Sequence, residues 1–437
     1  MSKIIKNQLD ILAKLGIEKL NEMQEEAKLA ISSHPNTILL SPTGTGKTLA
    51  FLMPLIAELD PTLEEVQALI LAPSRELAIQ ISQVTREMGT GFKVNEVYGG
   101  RNFSKDKIDL KHRPAILVGT PGRIADHLRR ETFSTDYLKT LVLDEFDKSL
   151  EVGFEDEMKD IVSLLPTIEK RVLTSATKDM EIPQFVGMKN PLTINYLGEK
   201  IAKLDVKRIL SPTKDKLDTL LNTISLMANQ PGIIFCNFKN TIQYVSDFLN
   251  HNGIPHGCFY GGMEQKDRER ALIKFRNGTH QLIIATDLAA RGIDVPEIKF
   301  IIHYQLPVKS QEFTHRNGRT ARMHAEGTAF VLQWEEETVP DFISEVEVIE
   351  EIPATKRPKP SGWKTLFISG GRKDKISKGD IAGLFMKQGN LNKDELGMIE
   401  LKSDCAFVAV KASKVKEVIQ KTNNTRLKKK KVRVSRI

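Results

Sequence analysis

The sequence predicts an α/β protein with two tandem parallel-sheet domains and a small α+β domain behind them. Three observations carry this. Short β-branched runs, "TILLS", "ALILAP", "AILVGT", "TLVLDE", "RVLTSA" and then "GIIFCN", "QLIIAT" and "KFIIHY", alternate with helix-length segments up to about residue 350. Continuous apolar strands separated in this way belong to parallel sheets covered on both faces. A polar stretch at 197–205, "LGEKIAKLD", divides the runs into two groups, and the Pro-rich, basic "ATKRPKPSG" at 354–362 reads as a semi-rigid linker. After it come "WKTLFISGG", a helical "SKGDIAGLFMKQ", "LGMIELKS", "CAFVAVKA", a helical "SKVKEVIQKTN" and "KKKVRVSRI", the order β-α-β-β-α-β. The expected bounds are 1–200 and 206–352 for the two large domains, 353–362 for the linker and 363–437 for the small one.

Length and composition agree. A chain of 437 residues exceeds one ordinary core, and roughly three domains of about 150 residues is the starting expectation. Hydrophobic content is 40%, and no apolar run approaches the roughly 18 residues of a membrane span. Cys236, Cys258 and Cys405 lie far apart without disulfide or metal-ligand spacing, which suits a reducing compartment. A monomeric cytoplasmic protein with no membrane partner is expected. The net charge of +8 is unevenly placed: residues 361–437 hold 19 Lys and Arg against 7 Asp and Glu, or +12, leaving −4 for residues 1–360. A balanced body with a basic appendage suggests an anionic polymer as partner, most simply nucleic acid.

The strongest local signal is "TILLSPTGTGKTLAFLMPL", in which a strand enters Ser41, Pro42, Thr43, Gly44, Thr45, Gly46, Lys47 and Thr48 and a helical pattern follows. Glycines in such a loop let backbone amides converge on phosphate oxygens, the lysine supplies a point charge, and the next hydroxyl holds Mg²⁺. Ser41 stands where the first glycine is usual. Downstream, "TLVLDEFDKS" delivers Asp144, Glu145 and Asp147 to the end of an apolar strand. Buried carboxylates are costly unless paired or facing a cation, so Asp144 fits a metal-holding position and Glu145 a base that orients or deprotonates the attacking water.

In order, "GIEKLNEMQ", "SPTGTGKT", "APSRELAIQ", "YGG", "GTPGRI", "DEFD", "SAT", "IIFCN", "GGMEQKDR", "ATDLAARGID" and "HRNGRTAR" resemble the motif series of the DEAD-box RNA helicases, over nearly the whole chain. The resemblance implies two RecA-like domains, ATP and Mg²⁺ as cofactors, and RNA as partner. It implies that Gln24 reads the adenine edge, that Lys47 and Thr48 meet the phosphates and Mg²⁺, and that Asp144 holds the metal-bound water beside Glu145, the general base. Asp147 would link to Ser175 and Thr177, coupling nucleotide state to RNA. From the second domain Arg319 and Arg322 would reach the γ-phosphate, and Asp287 would touch the nucleotide. RNA contacts would fall to Pro73, Arg75, Gly100, Thr120, Gly122 and Arg123 in the first domain and to Arg268, Thr286 and Arg291 in the second. In the family these go mostly to the sugar-phosphate backbone, which gives binding without sequence preference.

Departures from the series are Phe146 in place of alanine, Ile17 in place of an aromatic residue ahead of the glutamine motif, and "LNEM" without the usual prolines. A ring must be packed beside the acids, and Ile17 loses the stacking that a ring would offer adenine. His315 occupies a motif position, whereas His34, His112, His251 and His324 are expected on the surface.

The tail has the layout of an RNA recognition motif. Phe367 and Phe407 are candidates for base stacking, with Arg372, Lys373 and Lys375 in "GGRKDKI" and Lys428 to Lys431 as basic contacts, while Cys405 sits where a ring is common. "SGGRKDKI", "GDIAGLF", "IELKSDCAFVAV" and "KKVRV" resemble the RNA-binding domain of DbpA-type helicases, which implies a tether on structured large-subunit ribosomal RNA. Two other readings share many motifs, an ATP-gated RNA clamp without productive unwinding and a DNA-directed translocase. The glutamine motif and the tail speak against the second.

Overall fold

The computed structural model describes residues 4, 7–178, 181–197, 204–290, 298–320, 326–344, 346–349 and 357–437. The chain forms two compact units, the first holding one large sheet and the second holding another large sheet together with the small C-terminal domain.

In the first unit the apolar runs become β1 (Asn36–Leu40), β2 (Ala68–Leu71), β3 (Val94–Val97), β4 (Ile116–Gly119), β5 (Thr140–Leu143), β6 (Lys170–Ser175) and β7 (Leu192–Asn195). They pair in parallel in the order β3-β4-β2-β5-β6-β1-β7. β1, β2, β4 and β5 are buried throughout, and separate apolar clusters include Leu39, Ile70 and Val118 in one and Leu40, Leu69 and Leu117 in the other. Alternate side chains therefore enter different cores, which is why these strands carry almost no polar residue.

The second unit holds β8 (Leu204–Ser211), β9 (Gly232–Phe235), β10 (His256–Phe259), β11 (Leu282–Ala285), β12 (Phe300–His303), β13 (Gly327–Trp334) and β14 (Val348–Ile349). Their order is β10-β11-β9-β12-β13-β8-β14, the first sheet's order shifted by seven, and again all parallel. The two α/β halves read from sequence are thus two copies of one topology. Of the "LGEKIAKLD" stretch, 198–203 lies outside the described residues, as does 350–356 at the second linker, and 357–361 has no regular structure.

The small domain follows the expected order: β15 (Trp363–Ile368), a helix over Lys378–Gly383 that continues as a π-helical turn over Leu384–Gln388, β16 (Leu396–Leu401), β17 (Ala406–Lys411) and a helix over Val415–Thr422. The closing "KKKVRVSRI" departs from the single strand expected. β18 (Thr425–Leu427) and β19 (Lys430–Val432) form a separate hairpin, and only β20 (Val434–Arg436) joins the sheet β16-β17-β15-β20. Leu366, Ile368, Val408 and Val410 face the two helices and form the core with Ile381, Phe385 and Val418. On the other face Thr365 is 0% exposed because it meets the helix Gln265–Arg276 and the turn after it: its hydroxyl lies 2.7 Å from that of Thr279 and 3.3 Å from Asn277 Nδ2. Arg276 grips Glu400 of β16 with two bonds, 2.7 and 2.9 Å.

Gly232 opens β9 directly beside Phe300 of β12, and a Cβ there would stand 2.3–2.5 Å from the ring. The substitution Gly232→Ala is expected to destabilise the second large domain by about 1–3 kcal/mol, read as a lower denaturant midpoint for that transition.

Candidate nucleotide and RNA site

Parallel strands release the chain at one edge, and in open α/β sheets ligands gather there. In the first sheet that edge divides in two. β5, β6 and β1 are consecutive neighbours and lead into Asp144–Asp147, Ser175–Thr177 and the loop 41–46; β3, β4 and β2 are consecutive too, and lead into Gly100, Thr120–Arg123 and Pro73–Arg75. Residues expected on nucleotide and residues expected on RNA thus occupy two halves of one edge, meeting between β2 and β5.

On the nucleotide half, Gly44 and Gly46 have φ of +88° and +90°, a region that favours glycine, and Gly46 caps the helix Lys47–Glu58. Ser41 has no positive φ, so no glycine is demanded there. It is buried, its N–H extends the strand pairing to the Ser175 carbonyl at 3.0 Å, and its hydroxyl bonds that of Thr45 at 2.6 Å. The Lys47 ammonium is turned into its own loop, donating to the carbonyls of Ser41 (2.5 Å) and Pro42 (2.8 Å). Thr43 and Thr48 flank this cradle, both partly exposed.

Gln24 belongs to the helix Glu22–Ser33 and forms a capping box with Asn21. Its carbonyl accepts from Asn21 N–H at 3.0 Å, its amide donates to the Gly46 carbonyl at 3.1 Å, and Asn21 donates to the Thr45 carbonyl. The glutamine therefore latches its helix to the phosphate loop, and a Cβ on Gly46 would lie 2.3 Å from Gln24 Nε2. Ile17, behind the left-handed Gly16, is more than a third exposed.

Asp144 is 3% exposed and accepts the Thr174 hydroxyl at 2.5 Å and the Glu145 N–H at 3.2 Å. Burial, followed by the neighbouring Glu145 charge, pushes its carboxyl up to about 6, against the Thr174 hydrogen bond and the Lys47 charge. Glu145 sits at φ 46°, ψ 52°, in the left-handed region, with a buried Oε2 that has no hydrogen-bond partner. Held strain at such a position typically costs about 1–3 kcal/mol and marks functional sites. Phe146 is 0% exposed and joins the apolar cluster of Leu143, Met158 and Leu173, so its ring leaves the acids unobstructed. Asp147 Oδ2 accepts the Thr177 hydroxyl at 3.2 Å, and the Ser175 hydroxyl donates to the Thr177 carbonyl at 2.9 Å. The predicted trio is brought together, with Thr177 as its middle member.

On the RNA half, Pro73 is buried and Ser74 caps the helix Arg75–Glu87 through the Leu77 N–H. The Arg75 guanidinium lies against the Gly99–Gly100 peptide: Gly100 has φ +86°, and a Cβ there would be 2.7 Å from Arg75 Nη1. Thr120 and Gly122 open the helix Pro121–Arg129, whose proline stands at its start. Arg123, expected on RNA, is instead turned inward. It pairs with Asp106 at 3.1 Å and donates to the carbonyls of Tyr98 and Arg101. Asp106 is fully buried, pairs also with Arg101 at 3.0 Å, and lies 3.6 Å from His127. Nothing in the spacing of "FSKDKID" singled Asp106 out.

In the second unit Thr286 and Asp287 follow β11, and Arg268 lies in the helix after β10 with its guanidinium 4.8 Å from the Phe259 ring centre. Asp287, expected on the nucleotide, gives both carboxylate oxygens to Arg316 at 2.7 and 2.5 Å. Arg316 also donates to Asn237 Oδ1 and the Gln305 carbonyl, and is 1% exposed. Arg316 and Asn237 were missed, although Arg316 is the first arginine of "HRNGRTAR". Arg319 is buried, His315 is largely buried, and Arg291, Arg322 and His324 lie outside the described residues. Burial and the Arg316 charge push His303 down to about 3, so it is neutral while bonding Asn317. His34, His112 and His251 are exposed, as expected.

The same strand position that carries the phosphate loop in the first sheet is occupied in the second by β8, followed by Ser211, Pro212 and Thr213 and then Lys214, Asp215 and Lys216. The loop opens as "SPT" does at 41–43 but lacks glycines, and the buried Lys216 ammonium is committed to Glu337 Oε2 at 2.9 Å and the Leu332 carbonyl at 3.1 Å.

In the small domain Phe407 pairs across the ladder with Phe367 and Glu400, so it stands on the face that carries Thr365. It is 7% exposed and meets Phe367 edge-on at 5.7 Å. Phe407 is thus buried and unsuited to stacking on a base, while Phe367 is half-buried beside the exposed Ser435 of β20. Arg372, Lys373 and Lys375 are exposed, and Asp374 between them pairs with Lys430 at 2.8 Å, which sets the 372–375 turn beside the 428–431 lysines.

Residues 21–185 match the DEAD/DEAH box helicase family, 215–324 the helicase conserved C-terminal domain and 365–436 the DbpA RNA binding domain. The chain is 31% identical to the ATP-dependent RNA helicase DbpA of Bacillus subtilis, over 98% of this chain and 97% of that protein. It is 32% identical to the ATP-dependent RNA helicase DbpA of Escherichia coli, over 98% and 96%. Its structure is similar to that of S. cerevisiae Dbp5 bound to RNA and ADP BeF3, with a TM-score of 0.69 and 27% identity over 80% of this chain and 94% of that one. With motif residues following the strands of both large sheets and relatives spanning almost its whole length, the chain belongs to the DEAD-box ATP-dependent RNA helicases of the DbpA type.

Proposed function

We propose that this RNA-stimulated ATPase opens short RNA duplexes locally on structured large-subunit ribosomal RNA, to which its basic C-terminal domain tethers it during ribosome assembly. One observation carries the mechanistic part: the nucleotide and RNA halves of the first sheet's edge abut between β2 and β5, where the Asp144 N–H donates to the Leu71 carbonyl at 2.9 Å, two residues before Pro73. A change around the phosphates is thereby passed by hydrogen bonds to the strands that face RNA. Because ATP and RNA favour the same state, each tightens the other's binding by the same factor.

Among the described residues no group of three or more His, Cys, Asp or Glu side chains is set to hold a metal. One carboxylate beside nucleotide phosphates is the usual habit of Mg²⁺, and the raised Asp144 carboxyl with the partnerless Glu145 oxygen fits a cation placed there. Thr48 and Asp144 would hold it, and it would supply charge for the phosphates. Lys47 leaves its loop carbonyls to meet phosphate, the 43–46 amides cradle the same oxygens, and Glu145 accepts the proton of the attacking water. Arg319 and Arg322 keep by resemblance their assignment to the γ-phosphate. On the RNA half Arg75 and the backbone of Gly100, Thr120 and Gly122 take the strand, with Arg123 holding their loops through Asp106. In the C-terminal domain the ridge of 372–375 and 428–431 is the tether surface, since Phe407 and Thr365 on the sheet face are buried.

The substitution Glu145→Gln is expected to lower ATP turnover at saturating RNA by roughly 10²–10⁴-fold while nucleotide binding persists, and turnover at the wild-type rate would exclude Glu145 as base. A large-subunit ribosomal RNA fragment should half-saturate the ATPase at much lower concentration than an unrelated hairpin of equal length at the same salt. The triple variant Arg372→Gln, Lys373→Gln, Lys375→Gln should abolish that difference, and equal stimulation of the wild type by both RNAs would remove the ribosomal target.

A further inference from the structure

The docking of the small domain on the helix Gln265–Arg276 creates a surface that neither part has alone. Lys266, Arg270 and Lys274 recur every four residues along this helix, so they share one face and are spaced by about 6 Å along its axis. The helix's end and the following turn are fixed against β15 by the Thr279–Thr365 and Asn277–Thr365 contacts, and against β16 by Arg276–Glu400. Ser361 ties the chain entering β15 to the Gly278 carbonyl, and Gly278 lies under the Trp363 indole. Lys364 of β15 and Arg436 of the adjacent β20 alternate with Thr365 and leave the sheet at the docked end of the strand, where their charges are felt at Lys274.

None of the five cations takes part in an ion pair among the described residues, whereas Arg276 on the same helix has its acid in Glu400. Burial first, and then the charges of Arg270, Arg436 and Lys364, hold the Lys274 ammonium below the ordinary lysine value; burial and Arg436 do the same to Lys364. A seam shaped only for docking would not gather repelling charges at its margin, since like charges without counter-ions weaken the contact they border.

We propose that this seam is a second RNA-backbone site, in which Lys266, Arg270, Lys274, Lys364 and Arg436 take the phosphates of the segment joining the tethered RNA to the duplex being opened. It rests on the reading that the core and the C-terminal domain hold the same RNA. A sugar-phosphate chain fits because it is an extended polyanion, as the stripe is an extended row of cations, and because Arg268, assigned to RNA, lies in the first turn of the same helix. The site is composite: the row is continuous only while Thr365 stays docked.

The test measures the affinity of the full chain across a salt series for a ribosomal RNA hairpin with and without a single-stranded poly(U) extension. In the wild type the extension should steepen the dependence of log K on log salt. In the variant Lys274→Gln, Lys364→Gln that steepening should shrink by about 1.4, at about 0.7 for each phosphate contact on a single strand. The variant Thr365→Tyr, which wedges the interface without altering any cation, should lose the same increment. An undiminished increment in the lysine variant overturns the site, and an undiminished increment in Thr365→Tyr overturns its composite nature. ATP turnover of the wild type with the hairpin alone separates the two levels: no stimulation removes the underlying helicase-and-tether reading and this proposal with it, while stimulation with unchanged increments removes only the seam.

Discussion

Parallel strands all end on the same side, and this geometric constraint organises the molecule. Fourteen strands in two sheets of one topology send their functional loops to common edges. Hydrophobic burial on both faces fixes the strands, so the edge loops need little stability of their own. They are free to hold left-handed glycines, a left-handed glutamate and glycine-backed arginine stacking. A site built on strand ends inherits the precision of the core beneath it.

The charges at these edges are arranged to survive burial. Arg316 satisfies Asp287 with two bonds and reaches Asn237 and a carbonyl besides; Asp106 joins Arg101 and Arg123. Isolated pairs of this depth contribute little net stability, yet removing one partner typically costs about 3–5 kcal/mol because the other is left uncompensated. Their effect is to fix loops in one arrangement. Asp144 and Glu145 differ in kind, for the protein leaves them short of positive partners, as sites that receive a cation do.

Much of this was legible in the sequence, and the limits follow from distance along the chain. Strand ends, the phosphate loop and the acid cluster are local patterns, so Lys47, Asp144 and the Asp147–Thr177 contact fell where their motifs indicated. Asp106, Asn237 and the latch from Gln24 to Gly46 depend on contacts between segments far apart in sequence, which no spacing rule encodes. Ser41 read as a defect in the loop pattern, although the backbone at that position has no need of glycine. The alternation of Trp363, Thr365 and Phe367 looks the same whether that face of β15 meets solvent, a base or a helix. Only packing reveals that at Thr365 it meets the turn after a helix, and that Phe407 is buried while Phe367 is half-buried.

The loop after β8 shows how two copies of one topology have parted. The first copy leaves a lysine on carbonyls that phosphate can displace; the second binds its lysine to Glu337 and lacks the glycines that would let amides converge. Displacing Lys216 from a carboxylate held at 2.9 Å would leave that acid with a backbone N–H but no cation, so phosphate has no comparable entry. Among the described residues the left-handed glycines of a phosphate cradle therefore follow the first strand of one sheet and not of the other, so two domains of identical strand order differ in which loop is shaped for an anion.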